Sequence, residues 1–235
     1  MKSNSKIAKF QPSLSFIDAL LVAMLLVSYF HQPAYAQITK LYPVDEATQN
    51  PSFFVFRARL LEAVQQRDTA FLYSILAPDI LNSFGGDGGI AEFREMWNPD
   101  LPDTELWKTL MSVLAYGGTF QGSTFAAPYM FSRFPDELDA FEYGVIVGEN
   151  VNVRERPSAA APVTATLSYD IVKVVEWDAK QDEKPGSQHT WIKVSLANGS
   201  HGYVAERYIR SPIDYRAGFE QRNGRWLLGT LVAGD

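Results

Sequence analysis

The apolar residues change period once along this chain, near Gly144, and that change limits what the chain can fold into. From Ser52 they recur at helical spacing: Phe53, Phe56, Leu60, Leu61 and Val64 fall on one face, and Arg57, Arg59, Glu62 and Gln65 on another. Ser52 is placed to cap this first helix. A second starts at Asp68 and buries Phe71, Leu72, Ile75 and Leu76 before Pro78 interrupts it. A third runs from about Ile90 to Trp97. A fourth begins after Asp103, carries Leu106, Trp107, Leu110, Met111 and Leu114, and stops at Gly117 and Gly118. The aromatic-rich stretch from Thr119 to Tyr143 has no clear period. Past Gly144 the pattern becomes short β runs, VIVG, VNVRERP, IVKVVEW, TWIKVSL and HGYVAERYI, separated by Pro, Gly and charged turns. A segment of that size buries a core if its strands close into a small barrel.

Charge divides along the same line. Residues 37–144 hold seven Lys or Arg against fifteen Asp or Glu, whereas residues 145–210 hold eight of each. The acidity belongs to the helical part. A formal charge of −6 and a pI near 5.1 give no electrostatic footprint for holding phosphate backbones, which argues against a nucleic-acid partner. With 46% apolar and 20% charged residues the chain has the composition of a folded protein, not a disordered one. It has no cysteine, so disulfides, thiolate metal sites and a thiol nucleophile are excluded.

Lys2, Lys6 and Lys9 precede an apolar run from Ala19 to Phe30, followed by Pro33, Ala34, Tyr35 and Ala36. That order reads as a secretory signal cleaved after Ala36. The run is shorter than the roughly twenty residues a membrane-crossing helix needs. Removal takes away three lysines and Asp18 and leaves a mature charge of −8. The expectation is a periplasmic or secreted protein with no membrane contact after cleavage.

Residues able to carry chemistry are scarce. His31 leaves with the signal, so only His189 and His201 remain, too few for a hydrolytic zinc site. Ser83 to Gly89 holds four glycines, but no lysine follows in the phosphate-loop position, and Asp87 and Glu92 would repel an anion. The segment reads as a tight turn with positive φ. Asp79, Asp87, Glu92 and Glu95 are the carboxylates that a glycosidase-like site would draw on, with Glu92 and Glu95 one helical step apart. An exposed charged face is the more ordinary reading of them. No serine lies in a G-x-S-x-G elbow. No catalytic residue, cofactor or metal is assigned.

Seventeen of the 31 aromatic residues lie between Phe53 and Tyr143, either filling a core or lining a pocket for a ring-shaped ligand. Near the C-terminus, two β-like runs flank Asn223-Gly224, the strongest short hairpin signal. A lone hairpin is marginal in water, so it needs a partner surface. It can dock on the helices, completing an α+β domain, or extend the barrel; docking is favoured.

Val151, Asn152, Val153, Arg154 and Pro157-Ser158, then Leu167, Val172 to Val175, Trp191 to Val194, Gly199, Gly202-Tyr203-Val204 and Tyr208-Ile209 together resemble the bacterial SH3 (SH3b) pattern. The thirteen-residue connection Asp178 to Thr190 is longer and more charged than that pattern leads one to expect. The resemblance implies an SH3-like barrel that binds peptide or peptidoglycan. Such modules often accompany cysteine peptidases and zinc amidases of the cell wall, and this chain supplies neither chemistry. Strand alternation places Trp191 opposite to Val194, so an inward Val194 turns Trp191 outward. With Tyr169, Trp177, Tyr203 and Tyr208 it would form an aromatic groove suited to extended peptide; alternatively these rings pack the barrel or its interface with the helical part.

The sequence therefore predicts an α+β chain: signal peptide 1–36, acidic helical domain 37–144, SH3b-like barrel 145–210 and C-terminal β-hairpin 211–235. The function expected is that of an exported, non-enzymatic envelope protein binding cell-wall peptide or an envelope protein. Two alternatives stay open: an enzyme acting on a small molecule or wall glycan through a carboxylate such as Glu92, and a structural module mediating domain or subunit contacts.

Overall fold

The computed structural model describes residues 40–179 and 190–234. The expected signal segment, His189 and residues 180–189 of the long connection lie outside the described residues. Helix α1 (Pro51–Gln66) is capped by Asn50, whose Oδ1 accepts the backbone N–H groups of Ser52 and Phe53 at 3.1 Å each. The cap thus falls two residues before the expected Ser52, because Pro51 takes the first helical position, where its missing N–H costs nothing. Ser52 instead serves the sheet, its Oγ accepting the indole N–H of Trp226 at 2.9 Å. Asp68 caps α2 (Thr69–Ile75) as expected, accepting the Phe71 N–H at 2.9 Å.

The chain then leaves the helix without a turn and becomes strand β1 (Leu76–Leu81). Pro78 disfavours a helical conformation at Ala77, and its missing N–H is tolerated because β1 is an edge strand. Helices α3 (Gly89–Trp97) and α4 (Leu106–Ala115) follow where the spacing predicts them. The stretch without a clear period holds the short strands β2 (Thr119–Gln121) and β3 (Thr124–Ala127) and a single helical turn, α5 (Tyr129–Ser132). The barrel region comprises β4 (Tyr143–Ile146), β5 (Val151–Arg154), β6 (Val163–Leu167), β7 (Ile171–Ala179), β8 (Trp191–Ser195) and β9 (His201–Ala205). A 3₁₀ turn (Glu206–Tyr208) then leads into β10 (Ile209–Arg210). Strands β11 (Arg216–Arg222) and β12 (Arg225–Val232) end the fold.

Two sheets result. The first runs β1-β12-β11-β3-β2, with β1 parallel to β12 and the other pairs antiparallel. The last two strands therefore sit between β1 and β3, at the centre of the sheet that the helices cover. Asn223 and Gly224 turn between them with φ of 52° and 76°, the pair of positive angles that a two-residue hairpin loop demands. Phe53 of α1, Phe125 of β3, Phe219 of β11 and Trp226 of β12 meet in one buried cluster with Leu106, Leu110 and Leu114 of α4. The aromatic density of this part fills a core: the Phe53 ring centroid lies 4.2 Å from that of Phe125 and 4.9 Å from that of Trp226.

The second sheet has the order β10-β4-β7-β8-β9-β5-β6 and encloses Ile146, Val151, Val153, Val172, Ile192, Val194, Val204 and Ile209. A third cluster joins the two parts, with Leu41, Tyr129 and Met130 meeting Val145 and Ile171. Lys40 pairs with Asp170 at 3.0 Å beside it, and Arg210 donates to Ser112 Oγ at 2.6 Å. The fold is α+β with an SH3-like, β-rich portion.

Candidate functional site

Strand β8 shows what alternation settles and what it does not. Ile192 and Val194 point into the barrel core, and Trp191 and Lys193 lie on the other face. The expectation that Trp191 faces solvent is not met, because the indole is only 3% exposed. Its neighbours across the sheet are Ala179 on β7 and Ala205 on β9, which with Tyr203 pack around it. Two alanines directly opposite leave room for the ring to settle against the sheet. Its Nε1–H is buried and has no acceptor among the described residues.

Beside Trp191 lies a depression of 210 Å³ lined by Trp191, Tyr208, Arg207, Asn150, Asn152 and Arg154, among others. The Arg207 guanidinium stands 4.9 Å from the centre of the Tyr208 ring and makes no ion pair among the described residues. The 3₁₀ turn holds these two side chains side by side on the surface, Tyr208 at 40% exposure. Asn150 adopts φ 53°, and its N–H donates to Ser168 Oγ at 2.8 Å, fixing the start of β5. Arg154 is engaged otherwise, donating through Nη1 to the Ala161 carbonyl at 2.6 Å and so closing the loop that follows β5. The site offers a cation on an aromatic ring and two amides, a set suited to the carbonyls and carboxylate of a peptide.

The five expected groove residues thus do not form one strip. Trp191 and Tyr208 line the depression, and Tyr203 packs against Trp191. Tyr169, at φ 58°, sits against Tyr42 with ring centroids 5.5 Å apart. Trp177, 37% exposed, lines a separate and larger cleft. The sequence reading missed Arg207, Asn150 and Asn152. Alternation could have found Asn152, exposed between the inward Val151 and Val153. Nothing in the sequence signals the turn that presents Arg207.

Two of the four candidate carboxylates of the helical part, Glu92 and Asp79, are already engaged. Glu92 Oε2 accepts the Gly88 N–H at 2.8 Å and the Asn82 side-chain amide at 3.0 Å, closing the glycine-rich loop over the start of α3. Gly88 and Gly89 have φ of 74° and 86°, the positive angles expected for this turn. Asp79 binds Arg222 of β11 at 2.6 Å, and that hydrogen bond holds its carboxyl below the ordinary carboxylate range. Asp87 and Glu95 are exposed. Among the described residues, no three His, Asp or Glu side chains converge as metal ligands would, and no helix is long and apolar enough to cross a membrane.

Residues 149–210 match the family described as the bacterial SH3 domain. No curated protein and no solved structure matches the chain. The match starts just before β5 and ends with β10, so all the residues lining the depression lie in the portion of the chain that matches the bacterial SH3 family.

Proposed function

We propose that this is an exported, non-enzymatic envelope protein whose SH3 domain binds peptide, or the peptide stems of peptidoglycan, in the depression beside Trp191. Domains of this family are in general peptide- or peptidoglycan-binding modules. The observation that carries the reading is the pairing of Arg207 with Tyr208 in the lining of that depression, together with Asn150 and Asn152. An aromatic ring beneath a guanidinium holds an extended chain at small side-chain entropy cost. The lysine-flanked apolar run at the N-terminus supports export.

The test is co-sedimentation of the purified protein with isolated sacculi, comparing the wild type with Tyr208→Ala and Arg207→Gln. Both side chains are exposed, so neither change disturbs the barrel core. Retention falling several-fold in both variants supports the site, and equal retention of all three proteins overturns it. An acid–base role for Glu92 finds no support, since both hydrogen bonds of its Oε2 close its own loop. The structural alternative does have an observation behind it. The cluster of Leu41, Tyr129, Met130, Val145 and Ile171 makes one surface of the barrel an intramolecular contact, which is compatible with ligand binding beside Trp191.

A further inference from the structure

A cleft of 750 Å³ opens where the end of α4, strand β7 and the segment through β10 meet. That volume falls within the range of small-molecule sites, and junctions between packed units are where such sites concentrate. Trp177 forms one wall. It stays 37% exposed although it belongs to a long central strand of the sheet. Its ring edge rests over Gly144, where an added Cβ would lie 3.2 Å from Trp177 Cη2 and 2.8 Å from Ile209 Cδ1. The glycine lets the indole lie close to the sheet as a fixed platform.

The polar groups of the cleft are fixed as well. Arg210 donates to Ser112 at 2.6 Å and pairs with Asp214 at 2.8 Å, while its guanidinium centre stands 5.7 Å from the Tyr116 ring. Its Nε–H is buried with no acceptor among the described residues. Arg207 reaches the same cleft from its place over Tyr208, and Lys108 stands at the rim. Lys108 pairs with Glu105 at 3.3 Å and Arg210 with Asp214, so Arg207 is the lining cation that makes no ion pair among the described residues, next to the Glu206 carboxylate. An aromatic platform suits a ring with an apolar face. Carboxylates and Ser211 at its edge accept from hydroxyls, and the Arg207 guanidinium is placed to hold an anion.

We propose that this cleft is a second binding site, for a sugar ring carrying a carboxylate. It is separate from the depression beside Trp191 and does not depend on peptide binding there, although Arg207 lines both.

Isothermal titration of the purified protein with N-acetylmuramic acid, and with N-acetylglucosamine as the counterpart lacking the carboxylate, tests the assignment. The acid is expected to bind and the neutral sugar to bind at least tenfold more weakly. Trp177→Ala should weaken the acid about tenfold through loss of the platform. Lys108→Glu, on an exposed side chain that cannot unfold the protein, should weaken it about fivefold and leave the neutral sugar unchanged. Tyr208→Ala, which lies outside the cleft, should leave sugar binding intact while lowering retention on sacculi, so the two sites fail independently. Should Trp177→Ala not fold, as judged by circular dichroism, Lys108→Glu carries the test. Absence of binding by the acid, equal binding of both sugars, or an unchanged affinity in Lys108→Glu would overturn the proposal.

Discussion

Replacing Phe53 by alanine distinguishes a filled aromatic core from a ligand pocket in the helical part. Phe53 is fully buried, and five other rings, those of Phe56, Phe120, Phe125, Phe219 and Trp226, lie with centroids 4.2 to 5.9 Å from its own. Four of those neighbours sit on β2, β3, β11 and β12, so this one side chain joins the first helix to four adjacent strands of the sheet. Truncating a ring so placed removes its transfer free energy and leaves a cavity that the surroundings cannot close, a cost of about 3–5 kcal/mol. For a unit of this size each kcal/mol lowers the midpoint by about 2–4 °C, so the melt should shift down by on the order of 10 °C. Urea titration followed by circular dichroism and tryptophan fluorescence gives the free energy directly, with an unchanged slope if the two end states keep their exposed areas. An apolar cavity left in this way stays dry and accepts a small aromatic molecule, so benzene should restore part of the loss in the variant and do nothing for the wild type. A loss below about 1 kcal/mol would refute the reasoning, because it would mean that the rings around Phe53 border open space instead of packing on one another.

Ser52→Ala should cost about 1 kcal/mol in the same urea titration, since it removes the acceptor of the Trp226 indole N–H, and the loss should not add to that of Trp226→Phe, which removes the donor. The carboxyl of Asp79 is held low by its hydrogen bond to Arg222, so the stability it contributes is present above the ordinary value of 3.8 and is lost as pH falls through the lowered folded-state value. Asp79→Asn should therefore flatten the acid limb of the stability curve below about pH 4 and nowhere else, the effect being small because the pair is exposed, as thermal melts across that range would report.

Much of this architecture is legible in the sequence, and the parts that are not share a physical cause. Helices α1 and α4 announce themselves because their buried faces repeat at 3.6 residues, a purely local property. The hairpin at Asn223-Gly224 is legible for a similar reason, because both central residues need positive φ and these two tolerate it. The barrel is legible through the order of its motifs, with W-x-K-V of Trp191 to Val194 and G-Y-V of Gly202 to Val204 falling on neighbouring strands. Strand β1 is hidden because it continues the apolar run of α2, and it becomes a strand by pairing with β12, some 150 positions away, as Leu76 meets Leu228. Strands β2 and β3 are too short to show alternation. The burial of Trp191 depends on Ala179 and Ala205 standing opposite it, on two other strands, and no pattern within β8 contains that information.

The connections between the two sheets bear on where ligands act. The chain passes into the second sheet on β4 and leaves it on β10, and these strands pair side by side, Ile146 with Ile209 and Val145 with Arg210. The SH3-like portion is thus tethered at two neighbouring points and braced by the cluster around Tyr129 and Met130, which restricts its rotation far more than a single linker would. The side chains at this tether also build the larger cleft: Ile209 and Arg210 lie on β10, and Lys108 lies on α4 of the helical part, whose Ser112 Arg210 also grips. A molecule seated there touches residues from both parts across a junction already held by covalent bonds and packing. Little motion remains to be frozen on binding, so the contacts with Trp177 and the cations contribute to affinity with small loss to ordering. The depression beside Trp191 differs in this respect, because all the residues named around it lie in the portion that matches the bacterial SH3 family, and binding there leaves the junction untouched. The two hollows meet only at Arg207, which is why substitutions at Tyr208 and Trp177 separate them and one at Arg207 cannot.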